Sequence, residues 1–146
     1  ACFFSACEED LEVVMAHPRV MICTDSGVKT PTTTTHHPRL RGSFPRALGR
    51  YVRQRGVTSL PEMIRKMTSM PAAVYGLTRK GLLAEGFDAD LCIFDPDRIQ
   101  DRAEFANCTL GANGLHYVIL NGTVVVENAV HNGLRTGRVL LRQTNA

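Results

Sequence analysis

Val20-Met21-Ile22-Cys23-Thr24-Asp25-Ser26-Gly27 is the stretch on which the reading of the fold turns. Four apolar residues run without alternation and then give way to small polar ones. Such a run suits a strand covered on both faces, as in a parallel sheet or barrel. Upstream, Ser5-Ala6-Cys7-Glu8 has capping-box spacing, and Glu9 and Asp10 add negative charge to the first helical turn. Leu11, Val14 and Met15 then share one face, and His17-Pro18 closes the segment. A helix, a short link and such a strand make an α/β unit. Asp25 then lies at the C-terminal end of the strand, where barrel enzymes place their chemistry.

Downstream, Lys29 to His37 reads as a loop holding the threonine run Thr32 to Thr35. Phe44 to Arg55 reads as a helix with Leu48, Tyr51 and Val52 inward and Gly56 as its stop. Ser59-Leu60-Pro61-Glu62 is a second capping box, and Leu60, Met63, Ile64 and Met67 follow at helical spacing as a core stripe. Pro71 starts a further short helix that ends at Gly76. Beyond Leu83 the period changes. Leu91-Cys92-Ile93-Phe94 reads as a strand stopped by Asp95-Pro96-Asp97. Tyr117 to Leu120, Asn121-Gly122 and Thr123 to Val126 read as a hairpin, because Asn-Gly supplies the two positive φ values of a type I′ turn. The expectation is a helical α/β part over residues 1–83 and a small β-rich part over residues 84–146.

Composition narrows the class. The chain has 146 residues, of which 44% are hydrophobic and 21% charged, enough apolar material for a packed core. A net charge of +3 is mild, and its densest cluster, Arg39 to Arg55, is expected to be a solvated helix face rather than a nucleic-acid surface. No apolar run approaches the ~18 residues of a membrane-spanning helix. Cys2, Cys7, Cys23, Cys92 and Cys108 include no C-x-x-C pair, which suits reduced thiols in a cytoplasmic protein. Cys23 and Cys92, inside apolar runs, are expected to be buried small hydrophobes.

Asp25 is the leading candidate for chemistry, as a metal ligand or proton carrier, although an Asp after a strand also serves commonly as a loop or cap residue. Arg39 and Arg46 could hold a substrate carboxylate by bidentate bonding, or be surface residues. His36 and His37 are adjacent, so their side chains diverge, and His17, His116 and His131 are isolated. No complete metal site can be assembled from these local motifs.

Taken together, these stretches resemble a known family. The stretch Val20 to Gly27, then His37-Pro38-Arg39-Leu40, Gly42-Ser43-Phe44-Pro45-Arg46 and Leu48-Gly49-Arg50-Tyr51-Val52-Arg53, resembles the last-strand region of N-acyl-D-amino-acid deacylases of the amidohydrolase superfamily. Lys66-Met67-Thr68 with Pro71-Ala72 continues that pattern, and Gly137-Arg138-Val139-Leu140 resembles the deacylase C-terminus. Gly81 to Gly86, Ala89-Asp90-Leu91, Phe94-Asp95-Pro96 and Val118 to Gly122 are similar to the end of amidohydrolases generally.

The resemblance implies the last strand and helices of a (β/α)8 metal-dependent hydrolase barrel, incomplete here, followed by part of a small β-sandwich domain. It implies zinc as cofactor, with most ligands outside this chain, and an N-acyl amino acid as substrate. It implies that Asp25 touches the metal and carries the proton from the attacking water to the amine leaving group. Arg39 would grip the substrate's free carboxylate. A barrel needs ~200 residues or more, so this chain alone is expected to be inactive. It is also expected to self-associate or to contact the remaining barrel. The alternatives are a cyclic amidohydrolase of the dihydroorotase or hydantoinase type, and a non-catalytic assembly module.

Overall fold

A computed structural model of the chain describes residues 7–27 and 37–140. The threonine run, Cys2, Ser5 and His36 lie outside the described residues. Helix α1 spans Glu8–Ala16, with three acidic residues in its first turn and His17 at its C-terminal end. Its N-cap is Cys7, which makes no side-chain capping bond. The face shared by Leu11, Val14 and Met15 is largely open. Met15 is buried, but Leu11 and Val14 keep 38% and 53% of their surface.

Residues 20–27 form irregular backbone rather than the expected strand. A strand is stabilised by a ladder of neighbours, and here the backbone bonds are isolated ones, from Val20 N–H to the His17 carbonyl and from Ile22 N–H to the Lys66 carbonyl at 3.2 Å. Ile22 still packs against the core, whereas Cys23 is exposed, contrary to expectation.

Helix α2, Arg39–Arg46, starts five positions before the expected Phe44 and continues directly into a π-helical segment, Ala47–Gln54. The widening follows Pro45, which has no N–H to donate and whose ring crowds the carbonyl one turn back. The π register shows in the bond from Arg55 N–H to the Arg50 carbonyl at 2.9 Å. Gly56, with φ of 64°, ends the run as expected. Leu48 and Tyr51 face inward.

Helix α3, Leu60–Met67, begins as its capping box dictates, with the Ser59 hydroxyl accepting from the Glu62 N–H at 3.4 Å. Met63 is fully buried, and Leu60, Ile64 and Met67 pack beside it. Lys66 on the same helix is buried too. Its Nζ donates to the carbonyls of Met15 and His17, so the side chain satisfies acceptors at the end of α1. Helix α4, Ser69–Val74, follows at once.

The second half is an antiparallel meander in the order β1-β2-β3-β4. Strand β1 is Leu91–Phe94, β2 Leu115–Leu120, β3 Thr123–Glu127 and β4 Val130–His131. The β2–β3 turn has φ of 51° at Asn121 and 78° at Gly122, the signs a type I′ turn requires. The core joins both halves, since Ile99 is buried with Met15, Leu48, Tyr51 and Met63. Among the described residues no helix is long and apolar enough to cross a membrane.

Arginines on the central helical run stay largely solvent-exposed, as expected of a solvated face, and several of them also tie the halves together. Arg46 pairs with Asp101 at 3.0 Å, and the Arg53 guanidinium donates to the Ile99 carbonyl at 2.6 Å and to Gln100 at 3.1 Å. On the other side Arg50 pairs with Glu8 at 3.0 Å and Arg55 with Glu12. Asp88 is a second hub, receiving Lys80 at 2.9 Å and Arg79 and Arg138 each at 3.0 Å. The Lys80 hydrogen bond above all, then the charges of Lys80, Arg79 and Arg138, hold the Asp88 carboxyl below the usual carboxylate range against the opposing effect of its burial.

Two outcomes follow. Gly49 lies so near the 99–100 backbone that a Cβ would sit 2.5 Å from the Ile99 carbonyl oxygen. Helix propensity alone would favour Ala by up to ~1 kcal/mol. Overpacking against backbone should outweigh that gain, so Gly49→Ala should lower stability by about 1–3 kcal/mol in urea denaturation. The lowered Asp88 pKa contributes stability above its unfolded value of ~3.9, and that contribution is lost as pH falls through the folded value. The melting temperature should therefore fall as the pH drops below about 4. Asp88→Asn should remove part of that dependence.

Candidate functional site

Asp25 and Arg39 are 14 positions apart in sequence, on opposite sides of the 28–36 segment. The fold brings them together: Arg39 Nη1 lies 3.0 Å from Asp25 Oδ2. Neither is a core residue, since the Asp25 side chain is 83% exposed and that of Arg39 46%. Asp25 has φ of 46°, a left-handed conformation that Asp tolerates better than most residues. Its carboxylate has one oxygen on the guanidinium.

Arg39 opens helix α2, and its backbone is held from three directions. Its N–H donates to His37 Nδ1 at 3.1 Å, and its carbonyl accepts from the Ser43 hydroxyl at 2.9 Å. Pro38, at φ of −52°, lies between His37 and the helix. The His37 ring meets the ring of Phe105 edge-on, with centroids 5.0 Å apart and planes at 79°. Arg41 donates to the Thr109 carbonyl at 2.8 Å. These last two contacts, from the 103–109 turn, were not legible in the sequence, because nothing in local spacing pairs residues 37–41 with a turn some 68 positions away.

Arg46 does not join the pair. Its guanidinium is held by Asp101, whose side chain is 9% exposed, so it serves as a structural tie rather than a substrate clamp. The histidines do not converge: His17, His37 and His131 each accept a nearby backbone N–H through Nδ1. Among the described residues no group of three or more His, Cys, Asp or Glu side chains could hold a metal. A catalytic zinc takes three protein ligands, and Asp25 offers one. The described residues therefore do not form a zinc site by themselves.

The hollows described here lie elsewhere. A polar one is lined by Arg79, Lys80, Asp88 and Arg138, and an apolar one by Met67, Tyr75, Leu83 and Cys92 among others. Cys92 was expected in the core but keeps solvent contact. Burial among the walls of the hollow still pushes its thiol up. In the polar hollow Lys80, Arg79 and Arg138 converge on the single carboxylate of Asp88, whereas Asp25 and Arg39 form a one-to-one pair.

Comparison with known proteins gives the family. The amidohydrolase family model matches residues 12–126. The chain is 39% identical to a D-aminoacylase of Alcaligenes xylosoxydans xylosoxydans over 142 residues, 97% of this chain and 29% of that protein. A crystal structure of D-aminoacylase superposes with a TM-score of 0.87 at 39% identity, covering 96% of this chain and 29% of that one. A second structure is N-acyl-D-glutamate deacylase from Bordetella bronchiseptica, complexed with zinc and a phosphonate mimic of the tetrahedral intermediate. It superposes with a TM-score of 0.77 at 38% identity, over 84% of this chain and 25% of that one. The chain thus spans about three-tenths of the length of the curated D-aminoacylase it matches.

The exposure of the pair separates function from stability. An exposed ion pair contributes ~1 kcal/mol at most. Arg39→Gln and Asp25→Asn, measured singly by thermal denaturation, should therefore each change stability by less than about 1 kcal/mol. A larger loss would mean that the pair is a structural tie like Arg46–Asp101.

Proposed function

Because this chain belongs to the amidohydrolase family, we propose that it contributes the Asp25–Arg39 portion of a zinc-dependent deacylase that converts N-acyl-D-amino acids to a D-amino acid and a carboxylate. One observation carries the reading. In an N-acyl amino acid a single carbon separates the amide nitrogen from the free carboxylate. A proton-carrying carboxylate and a carboxylate-binding guanidinium have to be neighbours to act on such a molecule, and Asp25 and Arg39 stand 3.0 Å apart.

Asp25 acts as general base and then as general acid. It takes a proton from the attacking water as the water oxygen bonds to the amide carbon, and returns that proton to the nitrogen as the C–N bond breaks. Arg39 leaves Asp25 for the substrate carboxylate, an exchange of one carboxylate partner for another that preserves the guanidinium's pairing. This fixes the amide near the proton carrier and converts part of the encounter into a held geometry. Zinc is the metal we assign to the whole enzyme, with Asp25 as one ligand and the others contributed by residues outside those described.

Support comes from the deacylase relatives, which match nearly the whole chain and act on linear amides. A cyclic amidohydrolase is the less favoured reading, since its substrate need not present a free α-carboxylate to Arg39. Val13 at 73% and Leu83 at 88% exposed are apolar surfaces suited to contact with the rest of a barrel or with a second copy. The free thiols of Cys7, Cys23, Cys92 and Cys108 suit a cytoplasmic setting.

In the full-length enzyme carrying this segment, Asp25→Asn should lower kcat for N-acetyl-D-amino acids by about 10²–10⁴-fold and change KM little. The 146-residue chain with added zinc should release no amine from the same substrates. Full activity in the Asn variant would remove Asp25 from the chemistry.

A further inference from the structure

Arg39 is braced from the β-rich half of the chain, and we propose that the 103–109 turn is a positioning element that aims its guanidinium. The inference rests on the reading of Arg39 as the clamp for the substrate carboxylate.

The turn is built to be stiff. Ala103 and Cys108 bury its two ends. Glu104 and Asn107 exchange backbone hydrogen bonds, at 3.1 Å from the Glu104 N–H and 3.0 Å from the Asn107 N–H. The Cys108 thiol donates to the Glu104 carbonyl at 3.1 Å, and the Thr109 N–H and hydroxyl both donate to Asn107 Oδ1. Local bonds of this kind set the backbone of a turn without help from a sheet.

Two of the turn's contacts flank Arg39. Phe105 sets its ring against His37, and the Thr109 carbonyl accepts from Arg41. Phe105 is 56% exposed, so filling the core does not account for an aromatic residue there. Its ring limits how His37 can rotate. That matters because His37 Nδ1 accepts the Arg39 N–H, one of the N–H groups at a helix start that have no partner within the helix. An Nδ1 acceptor places the proton of the neutral ring on Nε2. Pro38 between the two further restricts the backbone on both sides of the peptide bond. The chain Phe105–His37–Arg39 and the bond Thr109–Arg41 thus fix the first turn of α2, from which the guanidinium reaches Asp25. A bidentate grip on a carboxylate is sensitive to such placement.

The test uses Phe105→Leu, which keeps apolar bulk but loses the ring, Phe105→Tyr as the conservative variant, and Arg41→Met as an independent break. In the full-length enzyme, KM and kcat are measured for an N-acetyl-D-amino acid and for its C-terminal amide, which lacks the negative charge. Phe105→Leu and Arg41→Met should each raise KM for the acid roughly tenfold, leave kcat within about twofold, and leave KM for the amide unchanged. Phe105→Tyr should behave as the parent. In the isolated chain, the Arg39 amide and His37 Nδ1 NMR signals should shift in Phe105→Leu and not in Phe105→Tyr. Unchanged KM in both breaking variants, with KM raised in Arg39→Ala, would overturn the positioning role and leave the clamp intact. Unchanged KM in Arg39→Ala would overturn both. An equal loss on acid and amide would show that the turn is merely structural.

Discussion

The helical run from Arg39 to Gln54 is the piece against which the rest of this chain is placed. One side holds α1 through Arg50 and Arg55, and the other holds the 96–109 segment, its backbone through Arg41 and Arg53 and the Asp101 carboxylate through Arg46. Individually such exposed pairs contribute little energy. The energy comes from apolar burial at Leu48, Tyr51, Met63 and Ile99. The arginines supply register, because a guanidinium donating to a fixed carbonyl tolerates little displacement. Gly49 makes this docking possible by leaving no Cβ between the helix and the Ile99 carbonyl.

The same helix carries the site at its first residue. A group that has to exchange partners cannot be locked in the core, and Arg39 and Asp25 are both substantially exposed. The rigidity that the site needs is supplied one layer behind it, by His37, Ser43 and the 103–109 turn. Asp25, by contrast, sits on irregular backbone with positive φ, where the local backbone sets the direction of its carboxylate. The proposed site thus pairs a guanidinium on a braced helix with an acid on irregular backbone of positive φ. It also explains why pairs made of similar residues behave differently here. Arg46 has a nearly buried partner in Asp101 and is a tie, while the partner of Arg39 is exposed, as the proposed clamp requires.

Much of this organisation was legible in the sequence, and all of the legible parts are local. The Ser59 capping box, the stripe of Met63 and its neighbours, the Gly56 stop and the Asn121-Gly122 hairpin follow from rules spanning four to eight residues, and the structure contains each of them. Asp25 and Arg39 were legible as separate candidates. Three readings failed for one shared reason. The Val20–Cys23 strand and the buried Cys23 and Cys92 all depended on what lies across space from those residues. An apolar run becomes a strand only beside neighbours that complete its ladder, and a thiol is buried only where other segments cover it.

The sequence by itself determined the local elements, their caps and turns, and the residue types able to move a proton and hold a carboxylate. Its motif pattern also carried the family. Only the tertiary structure decided that Asp25 and Arg39 meet, that Lys66 turns inward to close α1, and that a distant turn braces the head of α2. The physical reason is range. Helix periodicity, capping and turn chemistry are written in residues a few positions apart. Ion pairs, ring contacts and close backbone approaches depend on chain segments tens of positions apart, and no local pattern specifies them before the core has packed.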